Sequence, residues 1–135
     1  MLMWRKSLSI LCGLTALVVA ANWLFFAVNQ EASQAIWDYV ADPAVLVLLG
    51  LTVLVNVRDS LQVRNNPGTH LTQLPRDIIT ALEAMVGFRY LLQYVDKMAA
   101  SLEPVDGLWA YLDSIVVVVL VAEAIALWRS ANQSD

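Results

Sequence analysis

Four long apolar blocks separated by short polar stretches organise this chain. Leu8 to Val28 is nearly continuous in apolar residues, and the blocks Ala44 to Val57, Ile78 to Val95 and Ile115 to Ala122 follow it. A helix needs about 20 mostly apolar residues to cross a bilayer. With their flanks, the blocks predict spans at about 8–28, 43–63, 75–97 and 106–128. A lone strand would leave its backbone groups unsatisfied in hydrocarbon, so helices are the expected spanning element. The expected fold is an all-α integral membrane protein. It is an antiparallel four-transmembrane-helix bundle that forms a single membrane domain over 1–135.

Capping and turn residues suggest the boundaries. The first block follows Arg5 and Lys6, as the apolar core of a signal peptide would. It is longer than the usual core of about 7–15 residues, and Trp23, Leu24, Phe25 and Phe26 continue it past Ala20 and Ala21, so a retained helix is expected. Asp42-Pro43 suits the N-cap and first position of the second span. Before it, Ala32, Ala35, Ile36, Tyr39 and Val40 fall at helical spacing. That segment reads as an interfacial helix or as a bent start to the second span, and the interfacial reading is preferred. Asn65-Asn66-Pro67-Gly68 marks a turn, Pro75 suits the start of the third span, and Glu103-Pro104 breaks the chain before the fourth.

Composition agrees with the pattern. Of 135 residues, 59% are hydrophobic and 15% charged, against about 25% charged in soluble domains. The net charge of −4 hides a sorting by loop. Arg5, Lys6, Arg58, Arg64, Arg76 and Arg129 flank one side of four alternating spans. Glu31, Asp38, Asp42, Asp96, Glu103 and Asp106 flank the other, with Lys97 the only base there. Basic flanks stay in the cytoplasm, so both termini are expected there, in a multi-pass protein of the inner (plasma) membrane. Trp37, Tyr39, Tyr94, Trp109 and Tyr111 fall near the outer face, and Trp4 and Trp128 near the inner, as aromatic belts do. No basic patch with interleaved aromatics occurs, which argues against nucleic acid as a partner.

Candidate chemistry lies in four ionisable residues within the spans: Glu83, Arg89, Asp113 and Glu123. Charges in hydrocarbon are costly and mark a partner or a pathway. Arg89 and Asp113 each fall seven residues from the outer helix ends at Asp96 and Asp106, about 10 Å deep. They are expected to pair across a hairpin of the third and fourth helices. The opposite lean of their side chains works against that pairing. Glu83 is about 120° from Arg89 on the same helix. It shares a depth with Glu123, and two such carboxylates could share a proton, bind a cation or line a proton path. The plainer readings carry more weight: an ion pair that fixes helix register, and carboxylates close enough to the interface to meet water, Arg76 or Arg129.

The remaining signals are weaker. Cys12 reads as a small buried hydrophobe. Asn22 and Asn56 read as interhelical hydrogen-bonding residues, and Ala16/Ala20 and Ala122/Ala126 have small-xxx-small spacing. His70, in a loop without a second histidine or thiol nearby, reads as a solvated side chain rather than a metal ligand. No phosphate loop, nucleophile elbow or zinc motif occurs, so neither a cofactor, a metal nor an enzymatic activity is expected.

Pro75 opening the third span, Arg89 fourteen residues later, Pro104-Val105-Asp106 before the fourth span and Leu127-Trp128 at its end give a further clue. Across Leu74 to Trp128 the chain loosely resembles the PsiE family of phosphate-starvation-inducible membrane proteins. The resemblance implies a small four-span inner-membrane protein, and a recurrent role for Arg89. The functional expectation is a noncatalytic accessory or assembly subunit of a membrane complex, or a PsiE-like stress-response protein. It would work with the bilayer and a membrane-protein partner or further copies of itself. The alternative is a small ion or proton transporter that uses Glu83, Arg89, Asp113 and Glu123.

Overall fold

The computed structural model describes residues 2–64, 70–100 and 106–132. The turn expected at Asn65–Gly68 and the break at Glu103-Pro104 lie outside the described residues. The elements are α1 (Leu2–Phe26), α2 (Gln30–Ile36), a π turn (Trp37–Ala41), α3 (Asp42–Arg64), α4 (His70–Ala100) and α5 (Asp106–Asn132). Four helical stretches are long and apolar enough to cross a membrane: Met3–Phe26, Gln30–Val63, Arg76–Ala99 and Tyr111–Asn132.

Each helix buries one stripe. Leu8, Cys12, Ala16 and Val19 face inward from α1, Val45, Leu48, Leu49 and Thr52 from α3, and Leu112, Val116, Leu120 and Leu127 from α5. Those spacings of three and four keep a side chain on one face of a helix. The opposite faces are also apolar: Leu17 on α1 is 65% exposed and Val118 on α5 is 68% exposed. Apolar residues on both the inner and the outer face are what hydrocarbon on one side and protein on the other require. α1 packs chiefly against α5, and α3 against α4, so the bundle is two helix pairs that meet through a shared core.

α1 and α5 approach closely at Gly13, where an added Cβ would lie 3.9 Å from the Ala124 Cβ. The Ser9 hydroxyl donates to the Ala124 carbonyl at 2.6 Å beside it. The alanine pairs do not form this contact as a set, since Ala16 is buried but Ala20, Ala122 and Ala126 are exposed.

The second span begins differently from expectation. Asp42 is not an N-cap: its φ of −60° and ψ of −49° are helical, and its backbone N–H bonds to the Trp37 carbonyl. The cap is Asn29, with φ −148° and ψ 93°, whose side chain accepts from the Ala32 N–H at 3.1 Å. The segment expected to be an interfacial helix is therefore the bent beginning of one long helix. Proline explains the π turn. Pro43 has no N–H to give, and in a regular α-helix its ring would press on the carbonyl four residues earlier. One turn with wider hydrogen bonding just before it relieves both problems. Trp37, expected at the interface, is only 8% exposed. α2 is fastened to the end of α1: the Asn22 amide donates to the Ser33 carbonyl at 3.2 Å, and the Ser33 hydroxyl reaches the Asn22 side-chain oxygen at 3.0 Å. α4 likewise starts at His70, before the expected Pro75.

The Gly13 contact yields a two-sided prediction. Gly13→Ala should raise the thermal midpoint in detergent, because an ordinary contact replaces glycine's cost of up to about 1 kcal/mol in a helix. Gly13→Leu should lower it by overpacking, by about 1–3 kcal/mol. Equal shifts in the two variants would show that α1 and α5 are not this close.

Candidate functional site

Thr52 and Asn56 lie four residues apart on α3, so they present hydroxyl and amide on one face. That face meets Glu83 of α4 and Glu123 of α5. The Thr52 hydroxyl contacts Glu83 Oε1, and it also lies 3.0 Å from the Leu48 and Leu49 carbonyls of its own helix. The Asn56 amide nitrogen donates to Glu83 Oε2 at 3.2 Å and to Glu123 Oε1 at 3.0 Å. One amide thus bridges two carboxylates that are 0% and 4% exposed. Cys12, also fully buried, faces the same group from α1.

From there a chain of polar contacts runs toward the end of the bundle that carries the helix ends near residues 2, 64, 70 and 132. Arg76 donates to Asn56 Oδ1 at 3.3 Å and to Asp59 Oδ2 at 3.0 Å. Arg5 donates to Asp59 Oδ1 at 2.7 Å and lies 3.5 Å from the Ser130 hydroxyl. All four long helices contribute to this network, which also fixes their alternating directions. Arg76 is hydrogen-bonded to the same Asn56 side chain that bridges the two carboxylates, and its charge also acts on Glu123. Arg129 is exposed.

A second group occupies the other half. The Tyr90 hydroxyl donates to Asp42 Oδ1 at 2.6 Å. Lys97 bonds Asp38 and lies 3.4 Å from Asp42 Oδ2. The Gln34 amide adds a bond to Asp38 at 2.9 Å. Asp113 of α5 is 7% exposed and faces Tyr90 and Asp42, yet its Oδ1 has no hydrogen-bond partner. Glu83 and Tyr90 are seven residues apart on α4, about 10 Å of helix. Between the two groups the core is apolar, with Leu49 packed against Gly87. Among the described residues no three His, Cys, Asp or Glu side chains gather as a metal site.

The expected residues are thus sorted anew. Glu83 and Glu123, which the sequence suggested could share a site but more simply placed near water, Arg76 or Arg129, are bridged by Asn56, the residue expected to bond helix to helix. Arg89 and Asp113 do not pair. Asp113 faces Tyr90, whereas Arg89 is exposed and forms no ion pair among the described residues. The cause is helix phase. Seven residues bring Glu83 and Tyr90 to nearly the same side, and six place Arg89 about 120° from Glu83. Once Glu83 is buried, Arg89 faces outward. Sequence reasoning missed Asp42 and Tyr90 as members of a site. The signal for Tyr90 was present in that seven-residue spacing from Glu83. Asp42 was hidden by its resemblance to an N-cap.

Asn56 is the joint of the first network, so Asn56→Leu should cost about 1–3 kcal/mol by removing the amide donor from Glu83 Oε2 and Glu123 Oε1, with only the Thr52 contact left to Glu83. Glu83→Gln keeps the shape and should cost less. Denaturant titration in detergent micelles would check the order, and the reverse order would exclude Asn56 as the central donor.

No protein-family model matches the chain, and comparisons with curated proteins and with solved structures likewise find no significant match.

Proposed function

We propose that this chain is a noncatalytic subunit of a larger membrane complex, placed in the inner (plasma) membrane with both termini in the cytoplasm. One observation carries the reading. Arg89 is exposed on the surface of the bundle within the span Arg76–Ala99. A cation there, facing lipid, costs from about 2.5 to more than 10 kcal/mol. A neighbouring protein that covers it removes most of that cost. The degree of cover agrees: 17% of the α4 window is buried, against 33–39% in the other three. The charge sorting along the sequence supports the orientation. A stress-response role of the PsiE kind rests on the sequence resemblance alone.

A second reading, a small ion or proton transporter, is favoured by a different observation. Asp38, Asp42, Asp59, Glu83, Asp113 and Glu123 stand in the two networks with Arg5, Arg76 and Lys97 as their cations. The carboxylates outnumber the cations, and an exchangeable cation could supply the balance. Arg89 has no place in such a path.

The two readings separate experimentally. Extracted gently from its native membranes at its natural level, the chain should migrate in a complex larger than its own 14.9 kDa plus micelle. A monodisperse single chain would count against the subunit reading. In proteoliposomes the transporter reading demands a proton or ion flux that Glu83→Gln abolishes, and no flux under any imposed gradient would remove it. A periplasmic alkaline phosphatase reporter fused after Asp135 should be inactive, and an active fusion would reverse the proposed orientation.

A further inference from the structure

We propose that the outer face of α4 docks a transmembrane helix of another protein, and that this helix carries an aspartate or glutamate near mid-bilayer as the counter-ion of Arg89. The proposal rests on the subunit reading and names the kind of partner.

The face is well defined. Ile78, Leu82, Met85, Arg89, Leu92 and Asp96 succeed one another at spacings of three and four, so they form one stripe. The four apolar members are 53%, 55%, 68% and 41% exposed. The centre of the stripe lies about 130° around the helix from Glu83 and Tyr90, which hold α4 to the core. Its apolar part matches a transmembrane helix, and its one mid-span charge is positive.

Two other occupants fail on geometry. Lipid phosphate is too far. Counted to Asp96 or to the Ala99 end of its span, Arg89 lies seven to ten residues from the nearer end, about 10–15 Å, and thirteen residues, about 20 Å, from the Arg76 end. Its side chain also leans toward the helix N-terminus, away from the nearer end. A second copy fails on charge. A symmetric contact between copies inserted in one direction sets Arg89 against Arg89 at equal depth. An offset contact would have to slide one copy by about 10 Å along the helix to bring Asp96 against Arg89, and the deeper carboxylates Asp42, Glu83, Asp113 and Glu123 are all buried. The remaining source of complementary charge is a different chain. A charged pair made inside the membrane restores most of what each partner loses by leaving water.

The test places a photoactivatable amino acid at Met85 or Leu92, and as controls at Leu17 or Val118, in the full chain at natural level in its own membranes. The expected result is a protein adduct from the two α4 positions at about tenfold higher yield than from the controls. Peptide mapping should place the adduct on a transmembrane helix with an Asp or Glu within one turn. Arg89→Leu should lower that yield about tenfold, equivalent to about 1.4 kcal/mol. It should do so while leaving the unfolding midpoint of the isolated chain unchanged or raised. Arg89→Glu combined with Asp or Glu→Arg in the partner should restore the yield. Adducts only with lipid or with a second copy would overturn the proposal, as would a partner helix without a carboxylate or a yield indifferent to Arg89→Leu. Adducts with another protein from Leu17 or Val118 but not from α4 would overturn it and leave the subunit reading standing. No protein adduct from any position would end both.

Discussion

The setting of α4 about its own axis governs the rest of the structure. That helix carries Glu83, Arg89 and Tyr90, and it cannot bury all three. Burying Glu83 against Thr52, Asn56 and Glu123 brings Tyr90 onto Asp42 two turns later. It also turns Arg89 to the outside. The alternative setting, with Arg89 inward against Asp113, would expose Glu83 and strip Asn56 of an acceptor. Two hydrogen-bonded groups outweigh one ion pair, because each unsatisfied buried polar group costs about 1–3 kcal/mol. Helices long and apolar enough to cross a membrane are apolar on their outer faces as well, so polar contacts and close packing decide how each is turned.

Much of this was legible in the chain. The four apolar blocks became four helices long and apolar enough to cross a membrane, in the expected order, because length and hydropathy act locally. Asn22 and Asn56 were read correctly as interhelical residues, since a polar amide within a span must find a partner. Errors collected where a residue has two good local roles. Asp42-Pro43 is a sound helix start in isolation, but Asn29 caps earlier, and a π turn lets the helix pass through Pro43. Pro75 does sit at the start of the apolar stretch Arg76–Ala99, but the helix itself begins five residues earlier, at His70. The Arg89–Asp113 pairing came from matching depths while leaving rotation open, and the seven-residue repeat of Glu83 and Tyr90 held the missing information. Whether a carboxylate meets an amide or a guanidinium is a tertiary matter that depth alone does not fix.

The two polar networks have different characters. The one around Asn56 joins all four long helices, and Asp59 holds two arginines together at one end of the bundle. It behaves as a clamp. The one around Asp42 depends chiefly on the α3–α4 pair and leaves an oxygen of Asp113 bare. The apolar layer of Leu49 and its neighbours keeps the two apart.

The π turn at Trp37–Ala41 has a meaning beyond easing a proline. A wider turn adds a residue without adding a full step of α-helical rotation, so the halves of one continuous helix lose their common phase. The first half is thereby free to aim Ser33 at the end of α1, while the second aims Thr52 and Asn56 at α4 and α5. A straight 34-residue helix would have to choose a single facing for all of these. The π turn thus works as a coupling between two shafts set at different angles, and it lets one stretch of chain serve three neighbours.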